Sequence, residues 1–295
     1  MSRTVAVAIL AAGLAGCLAA LPPALPDGPV AAPAWQPGYG WLVRAGHDLE
    51  RTDANGTLQR SNGTSTGWER VDLVGLPVDG RLVHHVAWEA EGVRPSTLRH
   101  NARDAATLEP LRLLATASWR PGCGSAGCLE ELNLTVGTDA AAVPLAFPLA
   151  PGKQWSLTGQ VTPDTWREGV ANTFVGEPVT VGGKSYATFF VHFNYTVTTE
   201  WAEPFMGVVR LERHHQVDVW YAPAAMRELR VEATIRGANI QENGTSLPFS
   251  QRYTHEVLEV DLTPGPAQTL ESVVTQRLGQ PLGGSSGRHV HAWEW

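Results

Sequence analysis

From Tyr186 to Trp201 the chain alternates: Ala187, Phe189, Val191, Phe193, Tyr195, Val197 and Trp201 fall on one side, opposite Thr188, His192, Asn194, Thr196, Thr198 and Glu200. Period two is the signature of a β-strand with one face in the core and the other in water, and a helix cannot sort residues this way. A strand of this length needs long partners, so it commits the chain to a large sheet. The pattern recurs at Trp41, Val43 and Ala45, near 67–75, 81–90, 111–119 and 129–136, over 207–221, and at 252–262. It recurs again over 227–238, where Leu229, Val231, Ala233 and Ile235 oppose Glu228, Arg230, Glu232, Thr234 and Arg236. Turns are expected at Asn55-Gly56, Asn62-Gly63 and Asn243-Gly244. Short turns between consecutive strands predict a mainly β fold of long antiparallel strands in one or more twisted, curved sheets. Helical spacing is confined to Ala267–Leu278, where Leu270, Val273, Val274 and Leu278 form a stripe fit to cover an open face or edge.

Two stretches read as copies. Val74-Gly75-Leu76-Pro77-Val78-Asp79-Gly80 and Val175-Gly176-Glu177-Pro178-Val179-Thr180-Val181-Gly182-Gly183 each precede a long strand, and 103–112 aligns without gaps on 221–230. A duplicated β-meander is expected, with repeats at about 67–112 and 174–230. The expected organisation is therefore residues 1–16 as a signal, 17–38 as a tether, 39–263 as the β domain, and 264–295 as a C-terminal helix and tail.

At the start, Arg3 precedes a short apolar run beginning at Val5 that ends in Leu14-Ala15-Gly16-Cys17. A membrane span needs roughly 20 apolar residues, so this is the layout of a secretory signal. Leu14–Cys17 resembles the lipobox of prokaryotic lipoproteins, which implies cleavage before Cys17 and lipid on its thiol and new amine. The other reading is an ordinary signal peptide cut a few positions later. Stable anchoring through Cys17 requires more than one acyl chain. Residues 18–37 hold six prolines, which suits a semi-rigid tether of up to ~60 Å at about 3.1 Å per residue. The membrane, reached through Cys17, is thus an expected partner, and the outer face of the cell membrane the expected location.

Export gives the remaining residues their meaning. Cys123 and Cys128, in a Gly- and Ser-rich loop, read as a disulfide worth about 2 kcal/mol in the loop-entropy model. Five of eight asparagines, Asn55, Asn62, Asn133, Asn194 and Asn243, stand in Asn-X-Thr, where chance would place roughly one, so N-glycosylation is expected on exposed faces. A turn role is the rival explanation at Asn55, Asn62 and Asn243. A lipobox together with glycan sequons points toward an archaeal cell surface. The net charge of −7 argues against a nucleic-acid partner.

Phe147-Pro148-Leu149-Ala150-Pro151-Gly152-Lys153-Gln154-Trp155, the Val-Gly-rich segment after it and Trp220-Tyr221-Ala222-Pro223 resemble a pattern in prokaryotic envelope lipoproteins. Their sheets are similar to the half-closed sheet of lipoprotein-carrier (LolA/LolB-like) proteins, and the resemblance spans roughly residues 143–238. It implies a concave sheet holding an apolar ligand, and it brings no catalytic residues.

The residues expected to line such a cavity are His84, Trp88, Val191, Phe193, Arg213, His215 and Val217. His84 and His215 are polar groups on otherwise apolar faces, so each is either a satisfied core histidine or part of a pocket wall. The adjacent pairs His84-His85 and His214-His215 point to opposite faces and cannot chelate together. His289 and His291 share one side of a short terminal strand but lack a third ligand, so no metal and no cofactor are expected. The chain carries no Gly-X-Ser-X-Gly, no His-Glu-X-X-His and no phosphate-binding loop. The reading is a non-enzymatic, lipid-anchored surface protein binding an apolar or envelope-associated ligand or partner. The alternatives are a purely structural surface module or an exported hydrolase.

Overall fold

The computed structural model describes residues 23–53, 55–78, 80–90, 97–118, 128–135, 144–203, 208–269 and 272–273. Thirteen strands form one antiparallel sheet, as the alternation predicts. In chain order they are β1 (Gly40–Thr52), β2 (Leu58–Val78), β3 (Arg81–Ala90), β4 (Thr97–Asp104), β5 (Pro110–Ser118), β6 (Cys128–Thr135), β7 (Gln154–Ser156), β8 (Gly159–Thr162) and β9 (Thr165–Val175). A small separate hairpin, β10 (Val179–Val181) with β11 (Lys184–Tyr186), interrupts them. Then follow β12 (Phe189–Glu203), β13 (Val208–Ala222), β14 (Arg227–Gln241) and β15 (Ser246–Asp261).

The sheet is two meanders zipped together by their first and last strands: β6-β5-β4-β3-β2-β1 joins β15-β14-β13-β12-β9-β7. It rolls. Nine strand spacings separate β5 from β9, which in a flat sheet is about 43 Å at about 4.8 Å each. Yet Glu109, just before β5, meets Arg167 of β9 at 3.4 Å. Only a sheet curled round its inner face brings those two together. Glycines allow the tightest approaches: a Cβ on Gly237 would lie 1.8 Å from the Glu212 carbonyl oxygen of the neighbouring strand.

The inner face of the second meander follows the alternation closely. Phe189, Val191, Phe193, Tyr195 and Val197 of β12 pack with Val217, Val219 and Tyr221 of β13 and with Leu229, Val231 and Ala233 of β14. The cover comes from segments outside the long strands, including Trp35, Leu145, Leu149 and Leu157. The aligned decapeptides 103–112 and 221–230 each turn a hairpin, and their sixth residues, Leu108 and Met226, both take the left-handed conformation at φ 60° and 56°.

Several expectations change. Asn62-Gly63 is no turn: the pair lies inside β2, opposite Asp48 and His47. The hairpin has already closed at Asn55-Gly56, where the Asp53 carboxylate accepts the N–H groups of Asn55 and Thr57 at 2.9 Å each. Strands β4 and β9 were not marked by a clear alternation. The helix expected over Ala267–Leu278 is not found among the described residues. Residues 262–269 are irregular, strapped down where Gly265 N–H donates to the Pro37 carbonyl and Gln268 N–H to that of Asp72. Pro264 and Pro266, just ahead of the expected helix, fit this strap. Among the described residues of this segment, helical bonding is limited to Val273 N–H on the Thr269 carbonyl, and most of the expected helix, 270–271 and 274–278, lies outside the described residues. Last, the proline-rich segment does not stand free from residue 23 onward: Val30 exchanges both backbone bonds with Leu149, and Trp35 is buried.

Candidate functional site

The residues expected to line one cavity are dispersed instead. Val191, Phe193 and Val217 have no exposed surface and belong to the solid core, where Trp155 meets Phe193 edge-on. His215 is also buried, stacked on Tyr195 with ring centroids 4.6 Å apart, and burial drops its imidazole to a pKa of about 3. Arg213 lies over the Phe249 ring and donates to the Ala238 carbonyl at 2.7 Å and to Asn239. In the other meander His84 packs on Trp35, and Trp88 lies beside the Arg99 guanidinium. Side chains from the two halves of a thirteen-strand sheet share a pattern without lining one cavity.

What the sheet does bring together is charge. Arg227, 1% exposed, opens β14 directly after the left-handed Met226. Its guanidinium reaches Glu69 of β2 at 2.5 Å, lies 3.3 Å from His255 Nε2 of β15, and stands over the Trp41 ring at 5.0 Å. Arg103 of β4 approaches the same Glu69 oxygen at 3.6 Å. Burial alone would raise the Glu69 pKa, but the facing Arg227 and Arg103 charges hold it down at about 2. Burial, reinforced by Arg227, lowers His255 to about 3, and burial lifts Tyr253 to about 12. A buried charge costs several kcal/mol unless it is paired, so each of these groups needs the others. The cluster joins β2 and β4 to β14 and β15 across the seam. Two indoles hold its turn in place, Trp41 donating to the Ala225 carbonyl and Trp35 to that of Met226. Its chemistry is that of a clamp.

Arg227 was open to prediction, since the alternation of Leu229 and Val231 puts it on the apolar face. Glu69 carried no such signal. A second buried pair, Asp72 with His100 at 3.3 Å, sits nearby on β2 and β4. Among the described residues no group of three or more His, Cys, Asp or Glu is placed to hold a metal ion.

The open site lies at one corner, where the N-terminal segment meets the ends of β9 and β12. There Pro23, Leu25 and Pro26 face Val175, Pro178 and Phe189 across a cleft of about 490 Å³. Around it the outer surface is aromatic. Phe174, Phe190 and Trp220 stand opposite one another on β9, β12 and β13, with centroids 6.1 and 5.1 Å apart, and Arg230 of β14 caps the Trp220 ring at 4.4 Å. Cross-strand pairing, which no single strand reveals, builds that row.

The remaining expected sites divide by position. Asn55, Asn62, Asn194 and Asn243 are exposed. Cys17, Cys123, His289 and His291 lie outside the described residues, as do the side chains of Cys128 and Asn133.

No family model and no curated protein matches this chain. Three solved structures are similar to it in part. A "putative lipoprotein" from Parabacteroides distasonis ATCC 8503 is 12% identical, covers 80% of this chain and 100% of its own, and has a TM-score of 0.32. A "putative exported protein with YmcC-like fold" from Bacteroides fragilis NCTC 9343 is 11% identical over 79% of this chain and 100% of its own, with a TM-score of 0.31. DynF, from the dynemicin biosynthesis pathway of Micromonospora chersina, is 11% identical over 81% of this chain and 89% of its own, with a TM-score of 0.21. Likeness at this level carries neither fold nor function across.

Proposed function

We propose that this chain is a lipid-anchored protein of the outer membrane face that acts by binding and not by catalysis, and that it takes an apolar group in the corner cleft. The observation that carries the reading is the cleft itself. Its walls are mostly apolar, proline, leucine, valine and phenylalanine with Asp27 and Thr188 among them, its volume falls within the range of about 300–1,000 Å³ typical of small-ligand pockets, and one wall is the segment leading from the Leu14–Cys17 motif. The sheet interior is the wrong place for a ligand, because Val191, Phe193 and Val217 already fill it. That solid core favours the second reading, a purely structural surface module.

Two measurements separate the readings. Intact mass of the chain purified from membranes is expected to show acylated Cys17, and Cys17→Ser to release the protein into the soluble fraction. Titration with cis-parinaric acid, a fluorescent fatty acid, is expected to saturate, and Ala187→Trp, which fills the cleft wall, to abolish binding. Acylated protein with no saturable binding and no lipid in its organic extract leaves the structural module standing.

A further inference from the structure

The exposed apolar surface is not scattered. Among the described residues six large hydrophobic side chains are strongly exposed, and four of them, Trp166, Val170, Phe174 and Val175, belong to β9. Phe174 and Val175 end that strand, half and two-thirds exposed on its two sides, and Phe190 lies opposite Phe174 with its ring tilted against it. Trp166 lies at the far end of β9, about 26 Å away at about 3.3 Å per residue, so the apolar surface of this corner is Phe174, Val175 and the half-buried Phe190, and exposure of this kind marks a surface that meets something apolar.

The course of the chain bears on what that is. Pro23 lines the same cleft as Val175, and Cys17 is six residues earlier, so the two cannot be more than about 20 Å apart even at full extension. A lipid on Cys17 brings the bilayer to this corner. The far end of the domain is of opposite character: the β1–β2 and β14–β15 hairpin tips, which carry Asn55 and Asn243, lie about 40 Å away along β1 at about 3.3 Å per residue. Both are exposed and polar.

We propose that Phe174, Val175 and Phe190 form a membrane-seating surface, resting in the boundary between headgroups and acyl chains of the bilayer that holds Cys17. The proposal rests on the lipid-anchor reading. It fixes the orientation of the domain, with the ends of β9 and β12 on the lipid and the sequon hairpins directed away. Interfacial side chains of this kind sink ~5–10 Å into the boundary, adding a second contact to the covalent anchor. Arg230 pairs with Glu177 at 3.3 Å and Glu232 at 2.5 Å, a half-exposed trio of net charge −1 that belongs at headgroup level beside the apolar residues and not among the acyl chains. Trp166, at the other end of β9, stays in water and serves as an internal control.

The test is hydroxyl-radical footprinting of the full chain in palmitoyl-oleoyl phosphatidylcholine vesicles containing a minority of phosphatidylglycerol, against soluble Cys17→Ser protein. Oxidation of Phe174 and Phe190 is expected to fall several-fold in vesicles while Trp166 and Leu58 remain unchanged. In Phe174→Glu, anchored equally through Cys17, Phe190 is expected to lose its protection. Acylated protein with Phe174 oxidised as fast in vesicles as in solution overturns the seating and leaves the anchor intact. A chain without lipid on Cys17 overturns both. Protection that grows with protein concentration in the absence of vesicles assigns the surface to a second copy and overturns the bilayer.

Discussion

Strands β12–β14 and β2–β4 occupy mirrored positions about the β1–β15 seam, yet the first set buries Phe193, Val217 and Ile235 while the second buries Asp72, His100 and Asp104. The second meander stands by removing apolar surface from water, at roughly 25 cal/mol per Å². The first, with fewer large apolar side chains in its interior, depends on paired charges that are worth keeping only while every partner is present. One architecture thus tolerates loss differently in its two halves. The interior of the second meander should weaken in proportion to the volume removed, and the first meander, with the seam where Glu69 meets Arg227 and His255, in proportion to the charge left unpaired.

The largest effects test that contrast directly. Glu69→Ala leaves Arg227 buried without its nearest countercharge and is expected to cost about 3–5 kcal/mol, while replacing the pair together, Glu69→Leu with Arg227→Met, is expected to cost much less. Phe193→Ala is expected to cost a similar ~3–5 kcal/mol through the cavity it opens. Urea unfolding of the three variants checks this. If the double replacement is as damaging as Glu69→Ala, the seam is held by something other than charge pairing.

The next effect is acid sensitivity. Folded His215 and His255 bind a proton only near pH 3, whereas unfolded they bind one below the ordinary 6.5. The unfolded chain therefore takes up more protons in that window, so stability is complete above about 6.5 and falls with pH below it, by on the order of 1 kcal/mol per pH unit for each group. Glu69 adds to the loss lower down: its contribution is full above the ordinary 4.5 and disappears as pH falls toward 2. Unfolding midpoints measured across this range should show the slope, to which His85, lowered by burial to about 4, also contributes, and His215→Leu should remove about a third of it between pH 6.5 and 4.5. An unchanged slope in that variant would assign the titration to the other buried histidines, His85 of β3 and His255 of β15.

The smallest effect lies on the outer surface. Arg44 meets Glu256 at 2.6 Å with both side chains about half exposed. Arg44→Ala is expected to change stability by less than about 1 kcal/mol and to matter less still in salt.

Legibility follows the same division. In β12 and β14 each side chain faces either core or water, so alternation read along one strand marks the buried face. In β2 to β4 register shifts interrupt the pairing between Val71 and Leu76 and between His100 and Asn101, and both Val86 and Ala87 are buried. Period two fails where both faces are covered. The expected cavity failed for a related reason: residues assigned to a common face were up to six strands apart.

Sequence alone determined the β class, the antiparallel order within each meander, the Asn55-Gly56 and Asn243-Gly244 turns, and the apolar stripe of β12, because each depends on neighbours in the chain. Tertiary structure decided the β1–β15 seam, the Glu69–Arg227–His255 cluster, the docking of Pro23–Trp35 and the aromatic corner at Phe174. Those rest on contacts between residues far apart in sequence, where partner and register are set by how the sheet rolls and not by local pattern.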